Sequence, residues 1–163
     1  MSRFTQGLIT FILGAVVIAA LWFSTPEHEP FPELTFNLVD GKPITSQDLK
    51  GRPVMLSFWS VTCSTCIADI PALNQLHEIL DRRGGKLIGV NLPSDPPPTA
   101  ISMAKKYEIA YPNALDVHGE INKALGGISV TPTHLFINRE GKIVQRHTGA
   151  VNLNDIGLII STL

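Results

Sequence analysis

VMLSFWSVTCSTCIADIP, residues 54–71, is the stretch from which the rest of the chain is read. Residues 54–59 form a short apolar run ending in aromatics, the pattern of a buried strand. Residues 60–62 are a small polar turn, with Thr62 the expected helix N-cap. From Cys63 onward the spacing predicts a helix, with Cys66, Ile70, Leu73 and Leu80 close to one face. Both cysteines of the protein therefore stand at a strand-to-helix junction. A helix N-terminus presents unpaired N–H groups and partial positive charge, which favour thiolate over thiol. A C-x-x-C pair placed there can close into a disulfide within one turn. Cys63, nearest the helix start, is the expected nucleophile, and Cys66, one turn deeper, the resolving thiol. Ser64 and Thr65 carry no charge, so a Cys63 thiolate depends on the helix terminus and on local N–H or O–H donors.

Two plainer uses of a C-x-x-C compete with redox chemistry. Structural zinc wants four ligands, and this chain has no second cysteine pair and five histidines scattered at 28, 77, 118, 134 and 147. Structural disulfides usually close longer loops than this one. The dithiol reading is preferred to both, with no metal and no cofactor expected.

On these residues a resemblance can be stated. FWSVTCSTC is similar to the F-W-x-x-W-C-x-x-C signature of thioredoxin-like proteins, and VTPTHLFINREGKIV resembles their cis-proline strand and following hairpin. LKGRPVMLSFW before the cysteines and Asp69-Ile70-Pro71 after them are most similar to the membrane-anchored extracytoplasmic branch typified by TlpA and ResA. The resemblance runs from about Phe31 to the C-terminus. It implies an α/β thioredoxin fold: a central mixed sheet with helices on both faces, an N-terminal β-hairpin addition, and one transmembrane helix ahead of it. The activity implied is protein thiol–disulfide exchange.

Outward from the dithiol, the chain of 163 residues is of single-domain size once an apolar N-terminal segment is set aside. Net charge is −1 with no long basic run, which gives no reason to invoke nucleic acid. An uncharged run from Leu8 to Phe23 follows Arg3, longer than a usual signal core and close to a bilayer span. Trp22 suits the interface, and Ala19-Ala20-Leu21-Trp22 puts bulky residues where a cleavage site wants small ones. Residues 1–25 are thus expected to be an uncleaved anchor, 26–32 a proline-rich linker and 33–163 the thioredoxin-like domain. Arg3 before the span and Glu27 and Glu29 after it keep the N-terminus cytoplasmic, so the domain faces the periplasm or exterior of a bacterial cytoplasmic membrane. In that compartment disulfides persist, and a reductase needs electrons from a transmembrane donor.

Within the domain the expected elements are a strand over 34–39, a turn at Asp40-Gly41 and a short turn capped by Ser46. The helix after Cys63 should kink at Pro71 and stop at Arg82-Arg83-Gly84-Gly85. A strand over 87–92, a rigid SDPPP loop over 94–98 and helices over 99–107 and 121–125 come next. Strands over 133–137 and 143–147 form a hairpin, and Asn152 or Asn154 caps a last helix with Ile156, Ile159, Ile160 and Leu163 on one face.

Asp69 follows Cys66 by three residues, on roughly the same helix face. Spacing alone leaves it either a solvated acid or a partly buried proton acceptor. The resemblance favours the acceptor, since that branch carries an acid, usually glutamate, at this place. Ser57 stands where thioredoxin itself has a buried aspartate. Thr131-Pro132 is read from the residues as either an ordinary trans turn or a cis bond, and the resemblance implies cis. With cis geometry the Thr131 backbone is free to pair with a substrate strand, so Thr131, Pro132 and an edge of Trp59 are the expected substrate contacts. Thr62 and Thr65 replace the family's tryptophan and proline around the cysteines.

The partners expected are proteins bearing disulfides or thiols. Reduction is preferred to oxidation, with cytochrome c maturation among the processes the resemblance implies. A copper-handling metallochaperone of the Sco type would use both thiols and His134, but its cysteines are spaced C-x-x-x-C. A thiol peroxidase would carry P-x-x-x-T-x-x-C, where this chain has Leu56 and Ser60.

Overall fold

In this computed structural model, which describes residues 12–16, 28–161 and 163, the apolar run before the cysteines is a strand buried at every position. In chain order the elements of the domain are β1 (Glu29–Pro30), β2 (Thr35–Asn37), β3 (Pro43–Thr45), β4 (Val54–Trp59), α1 (Ser64–Arg82), β5 (Lys86–Asn91), α2 (Pro97–Lys106), β6 (Asn113–Leu115), α3 (Glu120–Ala124), β7 (Thr133–Ile137), β8 (Lys142–Thr148) and α4 (Leu153–Ser161).

The main sheet has the order β1-β8-β7-β4-β5-β6. β4 pairs in parallel with β5 and antiparallel with β7, so the sheet is mixed. Side chains of a strand alternate between faces, and the two faces of β4 feed separate cores. Leu56 and Phe58 join Phe36, Ile88, Leu135, Ile137 and the α3 side chain Ile121. Met55 packs instead with Leu73, Leu76 and Leu80 of α1, Phe136, and Ile156 and Ile160 of α4. Helices therefore cover both faces, as expected. The hairpin β2–β3 is the expected N-terminal addition, turning at Gly41, whose φ of +83° suits a residue without Cβ.

Three local readings are corrected. The linker is not wholly outside the sheet: Glu29 and Pro30 pair with Ile143 and Lys142 of β8, which proline tolerates because β1 is an edge strand. β6 adds to the expected elements, because Asn113-Ala114-Leu115 carries little strand propensity; its place comes from parallel pairing with β5. Ser46 does not cap its own turn. Its hydroxyl accepts from Leu34 N–H at 2.8 Å and donates to Pro32 C=O at 2.9 Å. That turn is closed by Asp48, which accepts from the Thr45 N–H and hydroxyl. Pro71 lies inside α1, as expected, in a helix of 19 residues.

The last helix presents the expected face: Ile156 and Ile160 are buried, with Ile159 and Leu163 against them. Residues 12–16 are helical, while the rest of the expected anchor lies outside the described residues. Among the described residues no helix is long and apolar enough to cross a membrane.

Candidate active site

β4 ends at Trp59, and the chain turns through residues 60–62 into α1. Cys63, not Thr62, is the N-cap: its Sγ accepts from the Cys66 N–H at 3.1 Å. The sulfur thus takes the capping role expected of a threonine hydroxyl, since Cys63 itself holds the extended backbone of a cap. Cys63 and Cys66 are joined as a disulfide with Cα atoms 5.2 Å apart. Cys63 is half-buried and Cys66 is only 3% exposed. No acidic side chain lies in the first turn of α1. An incoming thiol or disulfide therefore meets Cys63, and Cys66 waits behind it.

One turn further along α1, Asp69 is 7% exposed. Its Oδ2 accepts from the Val151 N–H at 3.0 Å, tying the helix to the segment before α4. Burial raises its pKa above the ordinary carboxylate value, against the opposing pull of the Val151 N–H and of His147. Asp69 and Cys66 line one small closed pocket together with Ser57, Trp59, Tyr111 and Pro132. The Tyr111 hydroxyl is held well above its ordinary pKa, chiefly by burial and then by Asp69.

The Thr131–Pro132 bond is cis. Pro132 is buried against the pocket and accepts the Gly149 N–H on its carbonyl at 2.9 Å, while Thr131 is half-buried and Val130 exposed. Trp59 lies beneath the surface at 5% exposure, its indole N–H bonded to Asn113 Oδ1 at 2.8 Å. It supports the site from below instead of presenting an edge to a partner.

His134 is a strand residue of β7, fully buried, with both ring nitrogens lacking a hydrogen-bond partner. It stands opposite Ser57 on β4 and His147 on β8, and its ring stacks on that of His147 at 6.0 Å. Burial first, and His147 second, lower its pKa to about 4, against a weaker opposing pull from the Gly149 backbone, which falls short of a well-formed hydrogen bond. Among the described residues no three or more His, Cys, Asp or Glu side chains converge as a metal-ligand set.

Sequence reasoning passes over Asp95, in the proline-rich loop after β5. Its carboxylate is buried and bonded to Ser60, Val61 and Asn91. The one signal in the sequence is an acid set in a rigid loop directly after a buried strand.

The Redoxin family matches residues 26–157. The thiol–disulfide oxidoreductase ResA of Bacillus thuringiensis subsp. konkukian (strain 97-27) is 33% identical over 119 residues, which cover 72% of this chain and 67% of that protein. ResA of Geobacillus thermodenitrificans (strain NG80-2) is 26% identical over 125 residues, 77% of this chain and 71% of that one. Among solved structures, a thiol:disulfide interchange protein of the thioredoxin family from Chlorobium tepidum TLS superposes with a TM-score of 0.77 at 26% identity, over 85% of this chain and 98% of that one.

Proposed function

This chain belongs to the redoxin family and is a thiol–disulfide oxidoreductase of the ResA kind, and on that premise we propose that it is a membrane-tethered extracytoplasmic reductase of protein disulfides. The single observation that carries the reading is the asymmetry of the dithiol: an accessible Cys63 at the start of α1 and a buried Cys66 beside Asp69.

In the reduced protein the Cys63 thiolate attacks one sulfur of a substrate disulfide, forming a mixed disulfide and releasing a substrate thiolate, which takes a proton from water. Cys66 then gives its proton to Asp69 and attacks Cys63 Sγ. The second substrate sulfur leaves as a thiolate, and the Cys63–Cys66 disulfide is restored. Two electrons have passed to the substrate. A dithiol donor spanning the membrane returns them by the same exchange in reverse. Thr131, next in the chain to the Pro132 that lines the Cys66 pocket, offers backbone to an extended substrate segment. The substrates are oxidised cysteine pairs of exported proteins, with cytochrome c assembly the process favoured by the likeness to ResA.

Equilibration of the full-length chain with glutathione tests the direction. A potential toward the thioredoxin end, about −270 mV, is expected, and one near about −120 mV would make the protein an oxidant. In the same preparation Cys63→Ser should abolish exchange, and Cys66→Ser should accumulate a mixed disulfide through Cys63. Mass mapping of that adduct names the substrate; an adduct that forms through Cys66 in the wild type would reverse the assignment.

A further inference from the structure

Cys63 enters α1 from the turn at residues 60–62, and one carboxylate holds that turn from behind. Asp95 is 8% exposed. Its Oδ1 accepts from the Ser60 hydroxyl at 2.9 Å, and its Oδ2 from the Val61 N–H at 2.8 Å and Asn91 Nδ2 at 2.8 Å. Ser60 in turn accepts the Cys63 N–H on its carbonyl at 3.1 Å, and its hydroxyl lies 3.1 Å from Thr62 Oγ1. Hydrogen bonds thus lead from Asp95 through Ser60 to the nucleophile, and Asp95 holds the same turn a second time at Val61. Asp95 is itself held in place. Its N–H donates to Leu92 C=O at 3.1 Å, and Pro96 and Pro97 start α2 immediately after it.

Among the described residues no cation pairs with this carboxylate. Neutral donors satisfy its lone pairs without cancelling its charge. A fixed negative charge behind the turn opposes the partial positive charge of the helix N-terminus and disfavours a second anion on Cys63. Stabilising the thiolate stabilises the reduced form and makes a dithiol oxidising; disfavouring it does the reverse.

We propose that Asp95 is a positioning residue for Cys63: it pins the turn that carries the nucleophile, and its charge keeps the dithiol on the reducing side. The proposal rests on the dithiol reading above.

The test compares the full-length wild type with Asp95→Asn, which keeps the size and one acceptor oxygen but removes the charge. Alkylation of reduced Cys63 by iodoacetamide should titrate at lower pH, with the rate near neutrality rising roughly threefold to tenfold. The equilibrium with glutathione should move about tenfold toward the dithiol, which is about 30 mV. A fall in thermal stability with the alkylation profile and the glutathione equilibrium both unmoved would overturn the proposal, since Asp95 would then only hold the fold. Should Asp95→Asn fail to fold, Asp95→Ser is measured in the same way, its hydroxyl still able to accept from Val61. A wild-type dithiol that does not exchange with glutathione would instead remove the underlying reading.

Discussion

Asp69 is the residue whose role depends most on where its side chain points. A carboxylate on the solvent side of α1 would be inert, whereas this one lines the pocket of Cys66 with its pKa raised by burial. A raised pKa brings a carboxylate toward the range in which a general base works. Asp69→Asn should slow resolution of the mixed disulfide more than its formation, by up to roughly 10²- to 10⁴-fold, and the pH–rate profile should lose one ionisation. Stopped-flow measurement of both steps across pH checks this; unchanged rates and profile would remove Asp69 from the mechanism. The linkage sign is equally specific. A carboxyl whose folded pKa is raised stabilises the fold fully below its unfolded pKa, about 3.9, and loses that contribution as pH rises through the folded value. Asparagine can still accept the Val151 N–H. Asp69→Asn should therefore leave stability at neutral pH unchanged or higher, which separates a kinetic defect from unfolding.

The pairing of β4, β7 and β8 gives the histidines their environment. The register sets Ser57 opposite His134 and His134 opposite His147, on the face covered by α1 and α4. A neutral imidazole fits there and an imidazolium does not, hence a pKa lowered to about 4. The unfolded value is about 6.5, so the unfolded chain binds the extra proton between the two values. His134 thus contributes stability that is present above about pH 6.5 and lost as pH falls toward about 4, on the order of 3 kcal/mol in all. Thermal unfolding from pH 4 to 7 should show this slope in the wild type and lose most of it in His134→Phe. An identical slope in both would mean that His134 is not the titrating group. The neighbouring β5–β6 pair is equally close-fitted: a Cβ on Gly89 would come within 2.5 Å of Asn113 Oδ1, the atom that accepts the Trp59 indole N–H. Glycine there lets β6 close the sheet edge and keeps Trp59 under the dithiol.

On the scale of the whole molecule, the proposed tether would decide which thiols and disulfides the dithiol meets. Arg3 and the uncharged run after it predict that the chain stays in the membrane fraction. A reporter fused after Leu163 should be active only outside the cytoplasm. Recovery of a soluble, shortened form would mean a cleaved signal instead of an anchor. The domain is joined to its linker more closely than composition implies, because Glu29 and Pro30 extend the sheet through β8 and Phe31 stacks on Phe36 of the hairpin.

The sequence by itself determined the apolar central strand, the C-x-x-C at a helix start, the terminal hairpin and the amphipathic last helix. These are local patterns: burial at period two, apolar residues at helical spacing, and small polar residues at a turn all act over a few neighbours. It also supplied the motifs by which the family is recognised. Tertiary structure alone decided the rest. It turned Asp69 inward to Val151, laid the β1 residues of the linker against β8, and made a strand of Asn113–Leu115. It also brought Asp95 beneath a turn 34 residues earlier in the chain. Each of these is a pairing across the chain that satisfies a buried polar group or a strand edge. Which distant donor meets which acceptor is settled only when the sheet order is complete.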